Sequence, residues 1–440
     1  MGTYVPNTEA EQKEMLRVLE IQGIEELFRA VPSSVLLKEP LKLDRSCSEY
    51  EVKQKMTELA GKNQVFRTIF RGAGAYHHYI PSIVSQITSK EEFVTAYTPY
   101  QAEISQGILQ SIFEYQTMVC ELTGMEVSNA SVYDGATAGA EAVIMCKERK
   151  RTKAIVSSAV HPQTIETIRT YLSGTDMELV LAPCREGRTD LAKLEALLGE
   201  DTACVMLQQP NYYGILEDCE AVGRLTGNTE MKYILSCNPI SLGMLKTPME
   251  YGADIAVGEG QPLGMPLAFG GPYLGYMATT EKLMRRLPGR IVGETVDANG
   301  NRAFVLTLQA REQHIRREKA SSNICSNQAL CAMTAAVYLD AMGRKGLNRV
   351  AQLSLSKAHY LAERLCERKD FTMTYPGEFF NEFVTTYTGD VDYLLLELEH
   401  CGILGGYPLG EGRILWCATE MNTKEEIDTL IHMLEEVFDR

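Results

Sequence analysis

Short apolar runs alternate with amphipathic stretches through the middle of the chain. Runs rich in apolar and β-branched residues predict strands, and apolar residues at helical spacing predict helices between them. Strands that alternate with helices in this way indicate a largely parallel sheet covered on both faces, an α/β fold. The predicted strands are 154–157, 177–181, 204–208, 233–236, 255–257 and 274–278, and the predicted helices are 110–124, 162–172, 191–198 and 219–225.

The two ends of the chain follow other patterns. The capping box of residues 8–11 begins an N-terminal helix, and Asn299-Gly300 predicts a hairpin between 291–296 and 303–308. The last third predicts an α+β unit, with helices at 327–342 (ending at Gly343), 350–366 and after Thr423, and strands at 394–396 and 413–417. We therefore predict an N-terminal helical arm with loops (1–109), a large α/β domain (110–325) and a small C-terminal α+β domain (326–440).

Charge and cysteine usage narrow the function classes. The net charge of −15 argues against nucleic acid or an anionic membrane as a partner, since both require a basic face. The longest apolar stretch, 329–342, is too short to span a bilayer, and no signal-peptide pattern precedes the first acidic residues. The twelve cysteines have no zinc-ligand spacing, so we expect no metal site and a reduced, cytoplasmic protein.

Two irregular segments have the composition of binding loops. Residues 72–81 place glycines before a run of aromatic and imidazole rings, and residues 97–107 combine two tyrosines with several side-chain donors. Polar and aromatic residues on loops are typical of binding sites. An aromatic-rich subunit interface is an equally good interpretation, and both hold if the site lies at an interface.

A basic cluster stands out in this acidic chain. Its cations could bind a carboxylate or an acidic carrier, but Glu312 and Glu318 lie among them. A solvated helix face is therefore the preferred interpretation. The cluster comprises Arg311, His314, Arg316, Arg317 and Lys319.

The order of elements resembles the aspartate-aminotransferase type of fold, fold type I of the pyridoxal-phosphate-dependent transferases. By that resemblance, Thr137 and Gly139 lie where the cofactor phosphate is cradled, and His161 lies where a side chain stacks on the ring. Asn238 and Pro262 take the positions of the acid at the ring nitrogen and of the Schiff-base lysine. The small residues at 134–139 could equally permit close helix packing, and His161 could simply bond local backbone.

Long motifs resemble one family more closely. They resemble the P-protein family of the glycine cleavage system, in the alpha form of its two-chain members, and they cover nearly the whole chain in order. The motifs are FRGAGAYHHYIPSIV, YTPYQAEISQG, YDGATAGAEA, NPISLG, ADIAVGEGQPLGMPLAFGGP and REQHIRREKASSNICSNQAL.

This resemblance implies an activity and its partners. P-protein decarboxylates glycine on pyridoxal 5'-phosphate and passes the aminomethyl group to the lipoyl arm of H-protein. The resemblance implies that a beta subunit carries the lysine and the cofactor, in a heterotetramer of two alpha and two beta subunits. It implies no catalytic residue in this chain, whose contribution would be a wall of the partner's cleft. We assign that wall to Tyr97, Thr98, Tyr100 and Gln101.

Two alternatives stay open. The chain could be a self-sufficient pyridoxal-dependent transferase or lyase with a displaced lysine, for which Lys246 is the nearest candidate because no lysine lies between Lys246 and Lys282. It could also be a scaffold without any catalytic contribution.

Overall fold

The computed structural model describes residues 7–39, 41–96, 99–309, 313–320 and 322–438, and it divides into two compact units at residues 64 and 65. The first unit contains helices α1 (Glu9–Val18) and α2 (Glu49–Ala60), with a 3₁₀ turn at Ile24–Phe28. Thr8 and Ser48 each form a capping box with the glutamate three residues later, which fixes where both helices begin.

The second unit contains the remaining elements. Its helices are α3 (Ser82–Thr88), α4 (Glu91–Val94), α5 (Gln106–Thr123), α6 (Gly135–Met145), α7 (Pro162–Leu172), α8 (Leu191–Leu197), α9 (Cys219–Thr226), α10 (Gln313–Arg316), α11 (Ala329–Cys366), α12 (Val391–His400) and α13 (Lys424–Phe438). Its strands are β1 (Thr68–Ile69), β2 (Val127–Ser128), β3 (Lys153–Ser157), β4 (Glu178–Ala182), β5 (Cys184–Arg185), β6 (Arg188–Thr189), β7 (Thr202–Gln209), β8 (Lys232–Cys237), β9 (Ile255–Glu259), β10 (Gly275–Thr279), β11 (Val292–Val296), β12 (Arg302–Leu306), β13 (Phe371–Met373), β14 (Glu382–Tyr387), β15 (Ile403–Leu404), β16 (Tyr407–Gly410) and β17 (Arg413–Cys417).

A seven-stranded sheet organises this unit, in the order β2-β10-β9-β8-β7-β3-β4. Strands β9, β8, β7, β3 and β4 are parallel, and β10 is antiparallel to β9. Side chains of β3 alternate between two cores: Ile155 belongs to a core that includes residues of α5, α9 and α11, whereas Val156 belongs to one that includes residues of α6 and α7. The α/β prediction is confirmed.

A smaller antiparallel sheet, β13-β14-β17-β16, packs on α11, α12 and α13 around the fully buried Trp416. The hairpin of β11 and β12 also forms as predicted. The domain boundaries predicted at residues 109 and 325 stay predictions. Within the described part of the chain, no helix is long and apolar enough to cross a membrane.

One local prediction is confirmed and one is wrong. Gly343 has φ 58° and ψ −179°, a non-helical conformation that ends the first helical segment of α11 where the sequence predicts a stop, and a second segment follows it. Residues 394–396 form helix α12 rather than a strand. Leu394, Leu395 and Leu398 are buried at helical spacing, and Asp390 caps the helix.

Candidate functional site

A cavity of about 380 Å³ lies at the carboxyl ends of the parallel strands. Open α/β sheets bind ligands at this edge because the loops that follow the strands converge there. The cavity is bounded by the ends of β7, β8 and β9, the loop after β3, the N terminus of α6 and residues 72–76. Its polar side chains come from Tyr76, Asp134, His161, Gln163, Thr164, Gln208, Ser236, Asn238, Glu259 and Tyr273.

Two of the five residues that the sequence assigns to a cofactor site, His161 and Asn238, line this cavity. Thr137 and Gly139 lie farther along α6, and Pro262 is buried in the turn after β9. The side chain of Asn238 accepts a hydrogen bond from the backbone N–H two residues later, at 3.0 Å. It therefore supports its own turn.

Close packing explains why position 139 is a glycine. A Cβ at this position would lie 2.9 Å from Thr164 Cγ2 and 3.0 Å from Met206 Cε. Only a glycine lets α6 approach α7 and β7 this closely, which favours the packing interpretation of the small residues.

Half of the predicted wall lies within the described residues. Tyr97 and Thr98 fall outside the described residues. The Tyr100 ring centroid lies 5.1 Å from the guanidinium carbon of Arg290, and Gln101 is exposed. Neither Tyr100 nor Gln101 lines the cavity, so the structure does not bring the two predicted sites together.

The cavity is closed on one side by the chain itself. Residues 72–79, here called the cleft segment, run between the large sheet and the small sheet. Gln261 holds the backbone of Tyr76 from both sides: its Oε1 accepts from the Tyr76 N–H at 2.8 Å and its Nε2 donates to the Tyr76 carbonyl at 3.0 Å. Farther along, Glu420 accepts from the Tyr79 N–H and contacts His78 Nδ1, both at 2.7 Å. The cleft segment is therefore held in place by hydrogen bonds to other parts of the same chain.

Glu382, at the start of β14, fixes the first half of the cleft segment. Its carboxylate accepts from the Ala73 N–H and from the Tyr76 hydroxyl, each at 2.7 Å. A Cβ on Gly72 would lie 2.5 Å from Glu382 Oε1, so a glycine is required there. Burial raises the pKa of Glu382 to about 7 despite these two bonds.

The side chain of His161 also forms a hydrogen bond to the cleft segment. Its Nδ1 accepts from the Gln163 backbone N–H at 3.1 Å, so the proton of the neutral ring is on Nε2, which donates to the Ala73 carbonyl at 3.0 Å. Burial lowers the pKa of His161, which favours this neutral form. A Cβ on Gly74 would lie 2.8 Å from the same nitrogen. The imidazole therefore packs against backbone.

Glu259, at the end of β9, was not identified from the sequence. One carboxylate oxygen accepts from the Gly135 N–H at 2.9 Å, and the other accepts from the N–H groups of Gln261 at 2.9 Å and Leu274 at 3.1 Å. Burial raises its pKa to about 7, against the effect of these bonds. The available signals were a carboxylate between two glycines at a strand end, and for Glu382 an acid inside an apolar run.

The family model "Glycine cleavage system P-protein" matches residues 2–434. This chain belongs to the P-protein family. It is 51% identical over 436 residues to "Probable glycine dehydrogenase (decarboxylating) subunit 1" of Moorella thermoacetica, an alignment that covers 98% of each chain.

Solved structures agree with this membership. A crystal structure of glycine decarboxylase (P-protein) of the glycine cleavage system, in inhibitor-bound form, is similar at 42% identity and a TM-score of 0.93, covering 99% of this chain and 100% of that chain. The lyase C-DES, in a mutant with glycine covalently linked to its PLP cofactor, is similar at 15% identity and a TM-score of 0.63, covering 86% of this chain and 97% of that one. The second likeness shows the fold, type I of the PLP-dependent enzymes.

The cleft of this P-protein chain does not fit pyridoxal phosphate. The N-terminal N–H of α6, where this fold cradles the phosphate, is already bonded to Glu259. No lysine or arginine lines the cavity in the part of the chain that the structure describes. The cleft segment also occupies the side of the cleft beside His161.

Proposed function

We propose that this chain is the alpha subunit of a two-chain glycine decarboxylase. Together with a beta subunit it would decarboxylate glycine and transfer the aminomethyl group to the lipoyl arm of H-protein. The support is membership of the P-protein family and 51% identity to a relative named as subunit 1 of glycine dehydrogenase (decarboxylating).

One observation supports placing the Schiff-base lysine in the partner subunit: the turn after β9 of this chain contains no lysine. The positions where a Schiff-base lysine would be expected are Gln261, Pro262 and Leu263, all buried. Lys246, the displaced candidate, is paired with Glu220 and its side chain is 56% exposed. A lysine on the surface cannot reach a cofactor at the strand ends, which argues against a self-sufficient enzyme.

We therefore assign the lysine and the cofactor to the beta subunit, where pyridoxal phosphate would supply the electron sink for decarboxylation. The alpha chain would help to exclude water from that cleft while admitting the lipoyl arm. Our candidates for this contribution remain Tyr97, Thr98, Tyr100 and Gln101. We further propose a heterotetramer of two alpha and two beta subunits, and a cytoplasmic location, in line with twelve free cysteines.

The test compares the chain alone, the beta subunit alone and the pair. Each sample is incubated with pyridoxal phosphate and reduced with borohydride, and intact masses are measured. We expect one adduct on the beta subunit and no stoichiometric adduct on this chain. Release of carboxyl-labelled CO₂ from glycine, with lipoylated H-protein present, is expected only from the pair. A single adduct mapped to a lysine of this chain would contradict the proposal.

A further inference from the structure

Three backbone donors converge on one carboxylate beside the N terminus of α6. They are the first N–H of α6, from Gly135, and the N–H groups of Gln261 and Leu274, and all three donate to Glu259 at 2.9–3.1 Å. Backbone N–H groups at a helix N terminus and in neighbouring loops are the usual ligands of a phosphate group. In this chain a side chain of the protein occupies them.

The fit is sterically tight as well. A Cβ on Gly135 would lie 2.8 Å from both the backbone nitrogen and the Cβ of Glu259. The end of β9 therefore contacts the start of α6 directly. A second carboxylate, that of Asp134, accepts from the Thr137 N–H of the same helical turn at 2.7 Å.

We propose that Glu259 is an internal substitute for the cofactor phosphate, and that its carboxylate excludes phosphate-bearing ligands from the cleft of this chain. The inference deepens the proposed function, on which it rests for the assignment of pyridoxal phosphate to the partner. It adds a specificity-determining residue in addition to the missing lysine. A chain that lacked only the lysine could still bind the cofactor without a covalent bond.

Charge explains why the exclusion is effective. A phosphate at this position would displace Glu259 from its three donors or lie against it, and it would also face Asp134. Above the pKa of Glu259, which burial raises to about 7, its carboxylate is charged, and like charges in a buried site repel strongly. No lysine or arginine among the described lining residues offsets them. The remaining neighbours of the cavity, such as Gln208, Ser236 and Asn238, are neutral.

The test uses the full chain and inorganic phosphate as the probe. The variant Glu259→Ala removes the carboxylate and leaves three N–H groups without their acceptor. We expect phosphate to bind the variant at least about tenfold more tightly than the wild type, and to raise its Tm at concentrations that leave the wild-type Tm unchanged. Pyridoxal phosphate, titrated next, should bind the variant without forming a borohydride-stable adduct.

Glu217 provides a matched control. It is also buried and accepts from a backbone N–H, that of Thr189, but it does not lie at the start of α6. Glu217→Ala should gain no phosphate affinity. If Glu259→Ala does not fold in chloride, its refolding yield in phosphate is compared with that in chloride at equal ionic strength, and Glu259→Gln is titrated in parallel.

Phosphate-dependent binding or folding of either Glu259 variant supports the proposal. Equal phosphate response in the wild type and both variants, or an equal gain in Glu217→Ala, overturns it. These experiments measure anion binding to this chain in the absence of the beta subunit. Their failure is therefore distinct from the failure of the proposed function, which a lysine adduct on this chain would reveal.

Discussion

The cleft at the strand ends and the loop around Tyr100 look alike in sequence and differ in what satisfies their polar groups. In the cleft, Glu259, Glu382 and Gln261 accept from or donate to backbone of the same chain. In the loop, Gln101 is exposed and the Tyr100 ring faces Arg290. A region rich in glycine, aromatic and polar residues can thus bind its own chain as readily as an external ligand.

This difference separates two kinds of mutational effect. Cleft substitutions should lower the free energy of unfolding, because they leave buried donors without acceptors. Loop substitutions should leave the isolated chain unchanged and lower the turnover of the assembled enzyme.

The largest effect is expected for Glu382→Ala. The substitution leaves the Ala73 N–H and the Tyr76 hydroxyl without their acceptor in a buried position, which should cost about 3 kcal/mol of unfolding free energy. Urea unfolding of the chain measures it. Tyr76→Phe, which removes only one of the two bonds, should cost about 1 kcal/mol. A Glu382→Ala cost below that of Tyr76→Phe would contradict the assignment of Glu382 as the main ligand of the cleft segment.

Stability should also depend on pH through the same carboxyl group. Burial raises the pKa of Glu382 from 4.5 to about 7, so the folded chain binds this proton more tightly than the unfolded chain. The contribution of Glu382 to the free energy of unfolding is fully present below pH 4.5 and is lost as the pH rises through 7. The loss should be about 2 kcal/mol between pH 5 and 8.

Glu382→Gln carries no titrating group at this position. The fall in unfolding free energy from pH 5 to pH 8 should therefore be smaller in the variant by about that amount. Parallel pH profiles for the two proteins would show that Glu382 is ionised in the folded chain near its ordinary pKa.

A methyl group at Gly135 should separate α6 from β9. Its Cβ would lie 2.8 Å from the Glu259 nitrogen, so Gly135→Ala should destabilise the chain by about 2 kcal/mol. Gly174→Ala is the matched control, because no atom lies within 4 Å of its added Cβ. The Tm of the control should stay near that of the wild type. Equal Tm values for the two variants would mean that α6 has room to move away from Glu259.

The sequence was sufficient where periodicity decides the structure. The parallel sheet, the hairpin and the final helix were all predicted, because alternation and capping residues act over short distances. Residues 394–396 misled us because a three-residue apolar run fits either period. The contacts of Glu259 and Glu382 could not be predicted, since their ligands lie far along the chain: Gly135 is 124 residues from Glu259, and Ala73 is 309 residues from Glu382.

The last prediction concerns Tyr100. It decides whether this chain forms a wall of the partner's active-site cleft or serves only as a scaffold. Tyr100→Phe retains the ring beside Arg290 and removes only the hydroxyl, and the Tm of the chain and its affinity for the beta subunit are measured in parallel. If this loop contributes to the partner's cleft, glycine decarboxylation by the reconstituted pair should fall about tenfold, equivalent to about 1.4 kcal/mol of transition-state stabilisation. Tyr393→Phe, an exposed tyrosine on α12, is the control and should leave turnover unchanged. Intact turnover in an intact Tyr100→Phe complex would remove this hydroxyl from the catalytic wall and favour the scaffold interpretation.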